Sequence, residues 1–322
     1  MSTNIPLPAR HPQILPIAAG IWIICFALTA QFGISAPAMP VGLATFVAAT
    51  ILTLLSAFIV YGFSCLRLHR TTYLMIGALA AASTFYAATP MVQRNDAINI
   101  NASVPGQVIS LSAATSGFSL PPEKLLSETI DRLASETGQK VADTIPEKTA
   151  MILLLALCQL TLASGLGLWI GEGIDEVSHL IPVAIVATLA DIWSVSAGAT
   201  SMIVVSSAIN YFLLRFPLFG YDSIPYLIGL TDFLFFAIFF QASRRFELGT
   251  IKNAILLLSS FIITAAAAIF FQAGLPVLPF MAVFFVAGNF SKLKLKREEI
   301  KQIFVFLLLI LAIFGTISAF NR

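Results

Sequence analysis

Charge is what this sequence has least of. Only 11% of its 322 residues are Asp, Glu, Lys or Arg, while 58% are hydrophobic. That is about half the charged share of an ordinary soluble domain, and it excludes a water-soluble globular fold. Cysteine and histidine are equally scarce, at three each. Cys25, Cys65 and Cys158 lie in or at the edge of apolar runs and read as small packing residues, with neither a disulfide framework nor metal-ligand spacing. His11, His69 and His179 form no H-E-x-x-H arrangement, so a membrane zinc protease is not indicated. No basic stripe is interleaved with aromatics, which removes nucleic acid from the partners considered. The first apolar run is long and lacks a small-residue cleavage site, so it reads as a retained span rather than a leader.

What is present is a succession of apolar runs long enough to cross a bilayer. The expected fold is an all-α polytopic transmembrane bundle of about nine spans. An N-terminal tail and three spans occupy residues 1–90, the spans falling at about 14–32, 41–64 and 72–89. Residues 91–148 form the only sizeable polar segment and are expected outside the cytoplasm. Within it, Asn95 to Gly117 reads as loop or short strands. Leu125, Leu126, Ile130 and Leu133 recur at helical spacing after Pro121-Pro122, as in a surface helix. A C-terminal membrane domain fills residues 149–322, with spans at about 149–170, 178–197, 223–243, 251–272, one ending near 289, and 302–319. Residues 202–218 are apolar but short and read as a re-entrant or interfacial helix. The basic loops at 66–70, 244–245 and 292–297 all fall on one side in this count. The positive-inside rule makes that side, and the N-terminus, cytoplasmic.

Two of these runs each carry one unpaired acid. Asp191 stands in Ala190-Asp191-Ile192-Trp193-Ser194-Val195, and Asp232 in Ile228-Gly229-Leu230-Thr231-Asp232-Phe233. A carboxylate at membrane depth costs roughly 2.5–3.5 kcal/mol on insertion scales. An isolated one serves as a helix cap, an interhelical hydrogen bond or an ion ligand. The runs are consecutive and antiparallel, and the spacing predicts both acids at matching depth below the outer surface. Two carboxylates sharing a poorly solvated site cannot both ionise, so one proton is held between them. The ionised member activates water and the protonated member polarises a peptide carbonyl, chemistry that needs neither metal nor cofactor. A proton or cation site remains the competing use of the same pair.

These residues resemble the presenilin and signal peptide peptidase family, the intramembrane aspartyl proteases. That family carries a first aspartate in a YD-type helix, a second in a GxGD motif on the next, and a PAL motif near the end. Ala190-Asp191 is similar to the first, with alanine for tyrosine; Tyr221-Asp222 spells YD but falls in the loop. Gly229-Leu230-Thr231-Asp232 resembles GxGD with threonine in the second glycine place, and Pro276-Val277-Leu278 resembles PAL. Arg215 before the second motif and Arg244-Arg245 after its helix suit the signal peptide peptidase branch. The resemblance covers about residues 178–291.

It implies catalytic Asp191 and Asp232, with substrate held by Gly229, Leu230, Thr231, Pro276, Val277 and Leu278. Its implied partners are membrane-spanning peptides or proteins within the lipid bilayer. Four spans before the first aspartate and one after the PAL-like helix depart from the family's five and none, as in a divergent prokaryotic member of the inner membrane. The alternatives are an aspartate-dependent cation or proton transporter, and a relative that binds membrane helices without cutting them.

Overall fold

The computed structural model describes residues 12–33, 41–102, 145–196, 209–217, 226–271, 275–293, 301 and 304–305. The described residues are mostly helical, because a helix satisfies every backbone group within one segment where water cannot. In order, the helices are α1 (Ile14–Gly33), α2 (Val41–Cys65), α3 (Arg70–Ala102) and α4 (Ile145–Glu172). A 3-10 turn, Val177–His179, leads to α5 (Leu180–Ser196), and a single turn, α6 (Ile209–Phe212), follows it. Strands β1 (Leu213–Arg215) and β2 (Tyr226–Gly229) precede α7 (Leu230–Arg245), α8 (Thr250–Phe271) and α9 (Val277–Asn289).

Five of these helices, α1 to α4 and α8, contain stretches long and apolar enough to cross a membrane. Their outward faces are greasy. Ile17, Ile21, Ile24 and Leu28 line one exposed stripe of α1, and on α3 Met75 and Leu79 are 72% and 70% exposed. Apolar surface on that scale is what lipid covers.

The interior is built around α7, whose Phe233, Phe236, Phe239 and Phe240 are all buried. A helix apolar on every side belongs at the centre of its bundle. Phe239 stacks on Phe285 of α9 with centroids 4.7 Å apart, and Phe233 on Phe261 of α8 at 5.3 Å. On its other side α7 lies almost in contact with the α4 backbone. A Cβ at Gly167 would stand 2.5 Å from Leu234 O and Ala237 Cβ, and one at Gly171 would stand 2.8 Å from Gln241 Cβ. Gly165 and Gly77 bring α4 and α3 together in the same way, the added Cβ falling 2.7 Å from the Gly77 nitrogen. Small residues spaced along a helix are how membrane helices gain close packing without a hydrophobic drive between them.

One end of the bundle gathers the basic residues. Arg244 donates to Ser64 O at the end of α2, and Gln241 to the Glu172 carboxylate at the end of α4. Arg245 pairs with Asp175 at 3.7 Å, and the Arg70 guanidinium lies 5.4 Å from the Trp169 ring centroid. Lys252 donates to Gly288 O and Asn289 Oδ1, while Asn253 and Asn289 bond each other through their side-chain amides. Leu15, at the start of α1, packs against Gly62 near the same end. The turns α2–α3, α4–α5 and α7–α8 and the end of α9 therefore share one face, as strict alternation requires.

Several expectations need correcting. Residues 223–243 are not one continuous helix: Tyr226–Gly229 is strand, and α7 begins only at Leu230. Pro225 removes a donor, Tyr-Leu-Ile favours extended backbone, and Gly229 is a poor helix former that sits well as an N-cap. The interfacial helix at 202–218 is also replaced, in its described part, by one helical turn and then β1. The two strands pair antiparallel, Leu213 opposite Gly229 and Leu214 opposite Ile228. In its described part, to Ala102, the segment expected as loop or short strands from Asn95 is instead a continuation of α3; no breaker follows Pro90 until Pro105-Gly106. The two prolines, expected from their missing backbone donors to hold the start of the span ending near 289 irregular, instead begin a regular α9, with Pro276 as N-cap and Pro279 in the first turn, where its missing N–H is not needed. With 17, 16 and 13 residues, α5, α7 and α9 are shorter than full spans. The span at 302–319 apart from residues 304–305, the helix from Leu125 to Leu133 and the Tyr221-Asp222 decoy lie outside the described residues.

Candidate active site at half depth

The two aspartates come from helices that run in opposite directions. Asp191 is the twelfth residue of α5 and Asp232 the third of α7. At 1.5 Å per residue, Asp191 stands about 16 Å above the start of α5 and Asp232 about 20 Å above the end of α7. Leu278, by the same measure, stands about 16 Å above the end of α9. All three heights are counted from the basic end, so the residues share a level within the bundle.

They also share interactions. Asp191 is half-buried, and its Oδ2 accepts a hydrogen bond from the Leu278 backbone N–H at 3.1 Å. The first turn of a helix leaves its N–H groups without partners, and the N-cap of α9 is Pro276, which has no side chain able to cap. Asp191 supplies that cap from another helix, joining the Pro276-Val277-Leu278 segment directly to the first aspartate.

Asp232 is buried, with 7% of its surface exposed. It occupies the first turn of α7, where the helix dipole favours a negative group. Its carboxylate turns back to the backbone N–H of Gly229, the N-cap, as the third residue of a capping box does. The two carboxylates lie close enough to interact electrostatically.

Gly229 keeps ordinary dihedrals, φ −68° and ψ 140°, so its role is space rather than backbone freedom. A Cβ there would come within 3.3 Å of both Asp232 Oδ2 and Thr231 Oγ1. Thr231 is exposed at the rim, Leu230, Pro276 and Val277 are half-buried, and Leu278 is buried. The structure thus sets the two predicted motifs on either side of one carboxylate pair. Among the described residues, no three His, Cys, Asp or Glu side chains group as metal ligands.

One residue escaped the sequence reading. Gln159 on α4 is 1% exposed and stands about 20 Å above the end of its helix. Its Nε2 donates to Asn210 O at 3.0 Å and to Leu213 O at 3.3 Å, where α6 gives way to β1. A lone amide in the apolar run 152–160 of α4 is visible in the sequence; its partners, far along the chain, are not.

Chemically, the arrangement offers two carboxylates in poorly solvated surroundings beside two helix starts and a short sheet. Carboxyl groups in such surroundings are able to take a proton from a water or present one to a carbonyl. A scan against family models and searches of curated proteins and of solved structures returned no match for this chain.

Proposed function

We propose that this chain is an intramembrane aspartyl protease that hydrolyses peptide bonds within membrane-inserted helices or remnant signal peptides. The observation that carries the reading is the placing of Asp191 and Asp232 at one level of the bundle, where the charge of one is felt at the other. The ionised carboxyl takes a proton from a bound water, whose oxygen adds to the peptide carbonyl carbon. The protonated carboxyl donates to the carbonyl oxygen, giving a gem-diol. Collapse of that intermediate breaks the C–N bond as a proton passes to the amine. Helical substrate must first be unwound to expose its carbonyl. Strand β2 runs without a break into α7, so extended peptide lying along its outer edge ends beside Asp232.

The likeness of Gly229-Leu230-Thr231-Asp232 and Pro276-Val277-Leu278 to the GxGD and PAL motifs supports the same reading. So does the bond that ties Leu278 to Asp191. In this proposal the chain has nine spans in a prokaryotic inner membrane, with its basic end and N-terminus cytoplasmic. Gly229, Leu230, Thr231, Pro276, Val277 and Leu278 line the substrate path.

A second reading has an observation of its own. Helices that begin at half depth and point at carboxylates also occur in ion-coupled transporters. The discriminating experiment reconstitutes the protein in vesicles with a reporter membrane helix. Asp191→Ala and Asp232→Ala are each expected to lower cleavage by about 10²–10⁴-fold, the usual worth of a general acid or base. Undiminished cleavage in either variant sinks the protease, and carboxylate-dependent ion flux without cleavage replaces it with the transporter.

A further inference from the structure

The spans contain several other polar side chains, and many of them are self-sufficient. Thr53, Thr161, Ser164 and Ser243 each bond the carbonyl four residues earlier on their own helix. Gln159 does not. Its amide leaves α4 and spends both donor contacts on the backbone of a different element. A buried amide at this depth is costly unless satisfied, and so are buried carbonyls such as the two it meets, Asn210 O in the single turn α6 and Leu213 O at the first residue of β1.

Those carbonyls lead to the aspartate in short steps. Leu213, one acceptor of Gln159, is paired opposite Gly229 across the sheet. Gly229 is the N-cap of α7 and turns its N–H to Asp232. Leu214 and Phe216, flanking the end of β1, are fully buried, and Phe216 meets Trp22 of α1 edge-on at 6.2 Å. The hairpin is therefore gripped by packing, and Gln159 adds directional bonds from a membrane-spanning helix to the backbone of the α6–β1 junction.

We infer that Gln159 is a positioning residue: its two hydrogen bonds set the place of β1, and through the Leu213–Gly229 pair the place of Asp232 in the site. As a statement about the reaction this rests on the protease reading; as a statement about the hairpin it does not. The substitution Gln159→Met separates it from simple space-filling, because methionine keeps the length and suits an apolar span but donates nothing.

The test uses full-length protein in micelles, with hydrogen exchange followed in peptides covering 209–217 and 226–232 and cleavage of a reporter helix measured alongside. In Gln159→Met, exchange in both peptides is expected to rise at least about tenfold while α3 exchange and the thermal midpoint stay put. Cleavage is expected to lose about tenfold in kcat with KM unchanged. Unchanged exchange overturns the inference whatever the activity. Raised exchange with undiminished kcat overturns the link from hairpin to aspartate. Raised exchange in a protein whose wild type cuts nothing supports the hairpin link and removes the protease reading instead. Should Gln159→Met fail to assemble, Gln159→Asn, which withdraws the amide by one methylene, is read in the same way.

Discussion

Helices α1 and α8 have 20 and 22 residues, whereas α7 and α9 have 16 and 13. The long pair crosses in a single piece and needs little beyond apolar side chains, because its backbone closes on itself. The short pair starts part-way along the bundle, which leaves first-turn N–H groups in poorly solvated surroundings. The two acids of the site answer that problem, Asp191 by capping α9 and Asp232 by sitting in the first turn of α7. Gln159 answers its counterpart, serving carbonyls at the α6–β1 junction. The comparison teaches that the acids are where they are because helices begin there. A pair of carboxylates that share a level can then do chemistry as well as capping.

The sharpest way to break this contrast is to disturb the seat of α7. Gly167→Ala puts a methyl group 2.5 Å from Leu234 O, and overpacking of that kind costs about 1–3 kcal/mol. Gly20→Ala on α1 meets nothing within 4 Å and is expected to be neutral or slightly stabilising. Thermal unfolding of the two variants in the same detergent decides it; equal midpoints would mean that the close α4–α7 crossing does not seat the short helix.

A smaller effect is expected from the trans cap. Asp191→Asn retains an oxygen to accept the Leu278 N–H, whereas Asp191→Ala leaves it open, at about 1 kcal/mol for a lost cap. Hydrogen exchange at 277–280 should rise in the alanine variant and stay near wild type in the asparagine variant, although both lose cleavage. Equal exchange in the two would separate Asp191 from the Pro276-Val277-Leu278 segment.

The smallest structural change is Thr231→Gly. Thr231 is exposed and supports no part of the core, so stability should fall by only a few tenths of a kcal/mol. Cleavage should stay within about tenfold of wild type, the residue being neither acid nor base. A large gain of cleavage would instead identify the natural chain as a silenced relative that binds membrane helices.

How legible all this was depends on range. The spans at 14–32, 41–64, 72–89, 149–170 and 251–272 correspond to long helices because an unbroken apolar run announces itself residue by residue. Asp191 and Asp232 stood out for the same reason, as single charges where charge is expensive. The strand before α7 was missed because Tyr226–Gly229 is as apolar as a helix, and its extended preference becomes a strand through pairing with Leu213–Arg215. Gly167 and Gly171 carry no local signal of their role, which comes from the packing of α7 against them.

The sequence by itself determined that the chain is built of apolar helices, that its basic residues fall in alternate turns, and that two acids sit alone in greasy runs. Those properties are local: hydropathy and charge act on each segment before any segment meets another. Tertiary structure alone decided where α7 and α9 begin, that Asp191 reaches Leu278 across 87 residues of chain, and that Gln159 holds a hairpin it is far from in sequence. The reason is that an orphaned backbone group at membrane depth must be satisfied by whatever packing brings near, and packing is not written in any one stretch.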